Sequence, residues 1–253
     1  MVHLPPSPFI QQDDGFRSET FDIHDVPANE TMVEPEHPEG RKGDNLGLIA
    51  TLGGLSVLVL GTWLIVFLNH PGQLGLFAAH PPLQTLAIAI FGAGILTLQP
   101  TSQPSTKARG LKRHQLIMLC VAFPVILTGT ILVLFHKVIH EHNHFTSWHG
   151  TFGGIAFVWI IIQILLGGLS IWFGGSAFGG GMKAKRVWKY HRASGYLLFP
   201  MLLLTAAVGG NYSNWASNAA SLGVRILVYT IAPIVILLGI WSRARLSKMN
   251  FSN

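Results

Sequence analysis

The chain has 253 residues, of which 49% are hydrophobic and 11% are charged, and its formal net charge is +6 at pH 7. This composition is typical of a membrane protein, and the single cysteine, Cys120, excludes a disulfide framework and a thiolate metal site. The basic balance does not indicate a nucleic-acid partner, because ten of the eleven acidic residues lie in the first 44 positions and fourteen of the seventeen basic residues follow them.

Residues 1–45 form an acidic N-terminal segment that is rich in Pro, Asp and Glu and lacks helical periodicity. The segment carries ten acidic and three basic residues, whereas the rest of the chain carries fourteen basic residues and one acidic residue. This split predicts a disordered cytoplasmic tail joined to a membrane domain with basic loops. We expect the membrane domain to cover residues 46–246 and a second short cytoplasmic tail to cover residues 247–253.

Six apolar stretches follow the acidic segment. A helix needs about 20 predominantly apolar residues to cross a hydrocarbon layer of roughly 30 Å, and each stretch is long enough. The sequence therefore predicts an all-α integral membrane protein, built as a bundle of six transmembrane helices. The stretches are residues 46–68, 80–98, 114–135, 149–173, 191–210 and 222–242.

The basic residues indicate how this bundle is oriented. They gather before stretch 1, between stretches 2 and 3, between stretches 4 and 5, and after stretch 6, whereas the opposite side has only Lys137 and Arg225. Short loops rich in Lys and Arg stay in the cytoplasm. Both termini are therefore expected to be cytoplasmic.

One histidine opens each of the four inner stretches: His80, His114, His149 and His191. Because consecutive helices alternate in direction, His80 and His149 should share the outer side, and His114 and His191 the cytoplasmic side. Two histidines at one depth on facing helices suit a b-type haem with an imidazole on each side of its iron. The chain has no C-x-x-C-H motif, so we predict two non-covalent b haems held among helices 2 to 5.

Two glycines support this interpretation. Gly153 and Gly195 each lie four residues after a predicted ligand, on the same helix face, and should leave room for a haem edge. Four other glycines could serve close helix packing equally well: Gly92 and Gly94 in helix 2, and Gly167 and Gly168 in helix 4. The expected position of all four ligands at helix N-termini would also favour the reduced, less positive iron.

Charged and polar loops supply candidate substrate residues. Arg109, Lys112 and Arg113 precede His114, and Lys185, Arg186 and Lys189 precede His191, where they could steer an anionic reductant or simply be positive-inside residues.

On the outer side, the segment HKVIHEHNH holds imidazoles and a carboxylate that suit iron, copper or zinc, although it could equally be a solvated polar loop. Lys137 in this segment could attract an anionic acceptor. The candidate metal-contacting side chains are His136, His140, Glu141, His142 and His144.

The chain resembles the cytochrome b561 family of six-helix transmembrane oxidoreductases, most of all its short members of the domain-containing protein 2 type. The resemblance covers residues 46–246 and is carried by the segments AAHPPLQTLAI, KRHQLIMLC, LFHKVIHEHNHFTSWHG and KYHRASGYLL. It implies that the four histidines ligate haem iron in the pairing given by topology. It also implies a one-electron shuttle from cytoplasmic ascorbate to monodehydroascorbate or ferric iron, with His144 as the first candidate to touch the acceptor.

Other functions stay open at this point. The chain could be a haem-containing membrane subunit that passes electrons to a partner complex, with the acidic tail as a docking site. It could also be a haem-free, histidine-rich transporter or sensor of metal ions. A homodimer is compatible with each of these functions, and the sequence does not choose between the plasma membrane and an endomembrane.

Overall fold

The computed structural model describes residues 39–245, except Pro100 and Ser102. The two predicted tails therefore lie mostly outside the described residues. Within the described part of the chain all regular structure is helical, and six helices are long and apolar enough to cross a membrane, as predicted. They are α1 Asp44–Leu68, α2 Pro71–Leu96, α3 Pro104–Ile139, α4 Trp148–Leu169, α5 Gly181–Tyr212 and α6 Leu222–Arg243.

Local sequence determines where the site-bearing helices begin. The first part of α2, Pro71–Ala79, is a 3-10 segment with non-helical backbone at Gly75, and the regular α-helix starts at His80. Two prolines follow His80 directly, at positions where the missing N–H group costs no helical hydrogen bond. At the start of α4, the hydroxyl of Ser147 accepts a hydrogen bond from the backbone N–H of Gly150 and so caps the helix two residues before His149.

The prediction that a histidine opens each inner helix is wrong for two of the four. His114 lies ten residues inside α3, which begins at Pro104, and His191 lies ten residues inside α5, which begins at Gly181. The preceding segments are rich in Lys, Arg and Ala, which are good helix formers, so each helix continues beyond its apolar part. The dipole effect expected at helix N-termini is therefore not available to these two residues, and it stays a prediction for His80 and His149.

The helices pack mainly as neighbours in the bundle: α1 against α6, α4 against α5, and α2 against α3. Fully buried side chains such as Leu58, Ile160, Leu203 and Ile236 form the core. Large apolar side chains such as Leu60 are exposed on the outside, where a bilayer would cover them. The helices α2 to α5 carry the four histidines.

Candidate functional site

His80 and His149 form the first of two imidazole pairs. Their ring centroids are 6.0 Å apart and the ring planes are nearly perpendicular, at 82°. The Nδ1 of His80 donates to the carbonyl oxygen of Gly129 on α3 at 3.0 Å, and the Nδ1 of His149 donates to the carbonyl oxygen of Thr205 on α5 at 2.9 Å. The main chain of a neighbouring helix therefore fixes each ring.

His114 and His191 form the second pair. Their ring centroids are 6.3 Å apart, with ring planes at 88°. The Nδ1 of His114 donates to the carbonyl oxygen of Gly94 on α2 at 3.1 Å. Gly94 follows His80 by 14 residues on the same helix, so the two pairs lie roughly 20 Å apart along the bundle.

These hydrogen bonds define the protonation of three of the four rings. A carbonyl oxygen can only accept, so the Nδ1 atoms of His80, His114 and His149 must carry the proton. In its neutral form, each ring then presents the lone pair of its Nε2 atom, which is the form in which histidine binds a metal. The ring of His191 likewise faces the main chain of Gln163 on α4, although its Nδ1 makes no hydrogen bond of full geometry.

The geometry of both pairs fits a haem iron. A metal bonded to one nitrogen of each of two imidazoles, at about 2 Å per bond, separates the ring centroids by roughly 6 Å. The observed centroid separations of 6.0 and 6.3 Å agree with this distance. Two imidazoles per site are also the donor set of a bis-histidine haem. The residues that would hold the iron are therefore His80 with His149, and His114 with His191.

Two further glycines contact the ligand rings, and sequence reasoning did not assign them to the site. A Cβ atom at Gly209 would lie 2.5 Å from Nδ1 of His149, and one at Gly167 would lie 2.7 Å from Cε1 of His191. Hydrogen at these positions lets each imidazole lie directly against the main chain of the neighbouring helix. Gly167 had been linked to helix packing, and nothing in the sequence near Gly209 indicates a contact with a residue on α4.

The two glycines that were expected to face a haem have different surroundings. A Cβ atom at Gly153 would meet only the methyl group of Thr205, at an ordinary 3.6 Å, so protein packing does not require glycine there. A Cβ atom at Gly195 would lie 2.9 Å from Nε2 of Gln163. Space for a haem edge therefore stays a prediction at both positions, and Gly195 has an additional protein neighbour.

The candidate substrate residues near the second pair separate into two groups. Arg109 and Arg113, one turn apart on α3, line a groove of about 530 Å³ together with Glu39 and residues at the end of α2. The carboxylate of Glu39 accepts hydrogen bonds from the backbone N–H of Gln103 and the hydroxyl of Thr106. The other predicted basic residues do not line this groove: Lys112, Lys185, Arg186 and Lys189.

The histidine-rich segment reaches the first pair through an aromatic side chain. The Phe77 ring lies 6.2 Å from the His80 ring and 5.9 Å from the His136 ring, and the rings of His136 and His140 are 4.4 Å apart. His144, by contrast, is exposed and contacts the ring of Phe145.

The described residues contain no group of three or more His, Cys, Asp or Glu arranged to hold a metal ion. The Nζ of Lys137 donates to the carbonyl oxygen of Asn143 at 3.0 Å and so helps to hold the loop together. The ring of Phe77 thus connects one side chain of this segment, His136, to the first pair.

The four histidines all lie within the part of the chain that a known family matches. The sequence profile of eukaryotic cytochrome b561 matches residues 79–217, which is more than half of the chain. The chain belongs to the cytochrome b561 family. A bovine protein (Bos taurus), the transmembrane reductase CYB561D2, is 30% identical over 105 residues. These residues are 40% of this chain and 47% of the bovine protein, so the chain spans about half the length of this relative.

Membership establishes the general class of the protein. It is an integral, multi-pass membrane protein with six apolar helices and a member of a haem-binding family. The predicted family and the predicted membrane location are thereby confirmed.

Proposed function

We propose that this protein carries single electrons from cytoplasmic ascorbate to ferric iron or monodehydroascorbate on the other side of the membrane, with two b haems as its electron carriers. The single observation that supports this most strongly is the presence of two imidazole pairs, with ring centroids 6.0 and 6.3 Å apart. Haem, when bound, supplies an iron that gains and loses one electron. The chain binds and orients this group through its four histidines.

The distribution of charge supports an orientation with the His114–His191 pair at the cytoplasmic side. The segments that lead into these two residues hold Lys107, Arg109, Lys112 and Arg113, and Lys183, Lys185, Arg186 and Lys189, whereas the end with the His80–His149 pair has Lys137 and Arg225. Positive residues stay in the cytoplasm. With a membrane potential that is negative inside, outward movement of one electron is favourable by about 2.3 kcal/mol per 100 mV.

The groove beside α3 is the proposed binding site for the reductant. Arg109 and Arg113 line it, and Arg113 directly precedes His114, so an anion held there lies close to the second pair. Guanidinium groups bind carboxylate-like and enolate-like oxygens through charge-assisted hydrogen bonds. Lys112, Lys185, Arg186 and Lys189 would contribute to the positive potential that attracts the anion.

At the other end, we place the electron acceptor beside Phe77 and His136. The Phe77 ring separates His136 from His80, and the imidazole of His136 is a suitable contact for ferric iron or for the oxygens of a radical anion. The exposed residues His140, His142 and His144 would form the rim of this surface. The sequence-based choice of His144 as the acceptor contact stays a prediction, and the ring contacts of the structure favour His136.

Liposomes that contain the purified full chain test this function. With ascorbate inside and ferric citrate outside, ferrous iron should form outside only when the protein is present, and the His149→Ala variant should abolish its formation. Reduction at the same rate in protein-free liposomes would contradict the proposal. Haem that dithionite reduces and ascorbate does not would favour a subunit that receives electrons from a partner complex, and colourless protein would favour a metal transporter or sensor.

A further inference from the structure

Two further imidazoles lie side by side at the C-terminal end of α3, apart from the two pairs described above. The ring centroids of His136 and His140 are 4.4 Å apart, with ring planes at 54°. The two residues are four positions apart, so they share one helix face and are separated by one turn. Two histidines at this spacing on a helix are a recurring arrangement for holding one zinc ion.

The distance between these two rings agrees with a different coordination geometry from that of the haem ligands. Imidazoles on opposite sides of one metal ion have ring centroids roughly 6 Å apart. Two imidazoles bonded at a right angle to one metal ion, at about 2 Å per bond, have centroids roughly 4.5 Å apart. The observed 4.4 Å agrees with the second value. The pair therefore fits adjacent positions around one metal ion.

The main chain holds the two histidines in this register. The backbone N–H of His140 donates to the carbonyl oxygen of His136 at 3.1 Å, so the last helical turn reaches His140. The N–H of His142 donates to the carbonyl oxygen of Lys137 at 2.8 Å, and Glu141 takes the left-handed conformation, with φ 55°, as in a Schellman motif. The main chain of the pair is therefore ordered before any metal ion binds.

The surroundings of the pair favour a cation. His140 is exposed and His136 is half-buried, so a hydrated ion can reach both rings. The C-terminal end of a helix is the negative end of its dipole, and His140 caps α3. Glu141, the one acidic residue after position 44 of the sequence, follows directly and is exposed. The nearest basic residue in sequence, Lys137, donates through Nζ to the carbonyl oxygen of Asn143.

We propose that His136 and His140 chelate one divalent metal ion of the Zn²⁺ or Cu²⁺ type at the end of α3. Neutral imidazole is a preferred ligand of both ions. Water fills the other coordination positions, because the described residues contain no group of three or more His, Cys, Asp or Glu arranged to hold a metal ion. The inference goes beyond the proposed function, since the bound ion need not accept an electron and its binding does not require haem.

The experiment is a calorimetric titration of the purified full chain with Zn²⁺, in detergent micelles and without a histidine-containing affinity tag. His136→Ala and His140→Ala should each weaken binding about 100-fold, because joining two binding groups on one support raises affinity by at least this factor. The double variant should lose no more than either single variant, since one imidazole alone does not chelate. His144→Ala, a matched change of an exposed histidine in the same loop, should keep the wild-type affinity.

A substitution by another zinc ligand separates coordination from a structural role. His140→Cys should bind Zn²⁺ far more tightly than His140→Ala, because a thiolate is also a zinc ligand, whereas His140→Asn should not. The histidines of the N-terminal segment are present in every variant and contribute the same background.

Three outcomes would overturn the inference. The first is an equal affinity for Zn²⁺ in the wild type and both single alanine variants. The second is a loss of affinity in His144→Ala as large as that in His140→Ala. The third is no gain in affinity of His140→Cys over His140→Ala. Protein that lacks haem and still binds Zn²⁺ through this pair would overturn the proposed function and support the inference.

Discussion

The imidazole ring of His149 lies directly against the main chain of Gly209. A Cβ atom at Gly209 would be 2.5 Å from Nδ1 of the ring, and the same Nδ1 donates to the carbonyl oxygen of Thr205, one turn earlier on α5. The backbone of α5 thus both supports and orients this ligand. Because α5 also carries His191, one helix determines ligand geometry in both imidazole pairs.

Replacement of Gly209 by alanine should therefore displace the imidazole of His149. The added methyl group cannot occupy the same space as the ring, and the three heavy atoms nearest to this position all belong to His149. We expect Gly209→Ala to lose the haem of the His80–His149 pair and to keep the other. The measurement is the haem-to-protein ratio, which should fall by half.

The matched control for this change is Gly53→Ala. Gly53 lies on α1, and a Cβ atom there would meet nothing within 4 Å, so the haem content should be that of the wild type. A wild-type haem content in Gly209→Ala would show that the imidazole of His149 can bind haem from another position, and would contradict the role assigned to Gly209.

The size of the side chain at position 153 should determine whether the first haem binds. A Cβ atom at Gly153 has ordinary contacts, so Gly153→Ala should fold and retain haem. Gly153→Leu should expel the haem of the His80–His149 pair while both ligands are present, since the longer side chain would fill the space predicted for the haem edge. Absorbance of the purified variants checks this, with Gly53→Leu as the control for a large side chain on a helix. Normal haem content in Gly153→Leu would show that Gly153 does not face the haem.

Two arginines in the groove beside α3 should control the use of ascorbate. A hydrogen bond to a charged group contributes about 1.5 kcal/mol, so Arg109→Ala or Arg113→Ala should raise the half-saturating ascorbate concentration about tenfold. Reduction by dithionite should be unaffected. Arg186→Ala removes an equal charge from outside the groove and should have a smaller effect that disappears at high salt. Equal effects of all three changes would mean that the groove attracts the anion without binding it.

His136 and His144 should contribute unequally to reduction of ferric iron. His136 is connected to His80 through Phe77, whereas His144 contacts Phe145 on an exposed loop. We expect His136→Ala to slow ferric reduction about tenfold without changing the haem spectrum, as for loss of a contact that contributes roughly 1.4 kcal/mol in the transition state. His144→Ala should change the rate much less. If ferric reduction were slower in His144→Ala and unchanged in His136→Ala, the acceptor would instead bind at His144, as predicted from the sequence.

The sequence predicted the six membrane helices and the pairing of the four histidines, because hydropathy and the alternation of helix direction depend on residues near one another in the chain. It did not predict where the helices begin, since the basic segments before His114 and His191 are charged and yet helical. It also did not predict that Gly209 and Gly167 lie against the ligand rings, because both contacts depend on which faces of α4 and α5 meet. Such contacts join residues that are distant in sequence and leave no local pattern.

The central claim is that each imidazole pair binds one haem and that ascorbate reduces it. The most direct test is a reduced-minus-oxidised visible spectrum of the detergent-purified chain, titrated with ascorbate and combined with a haem assay, for the wild type, His149→Ala and His191→Ala. The account predicts a b-type band from two haems per chain in the wild type, reduction by ascorbate, and loss of a different haem in each variant. A wild-type protein without haem, or loss of the same haem in both variants, would contradict it.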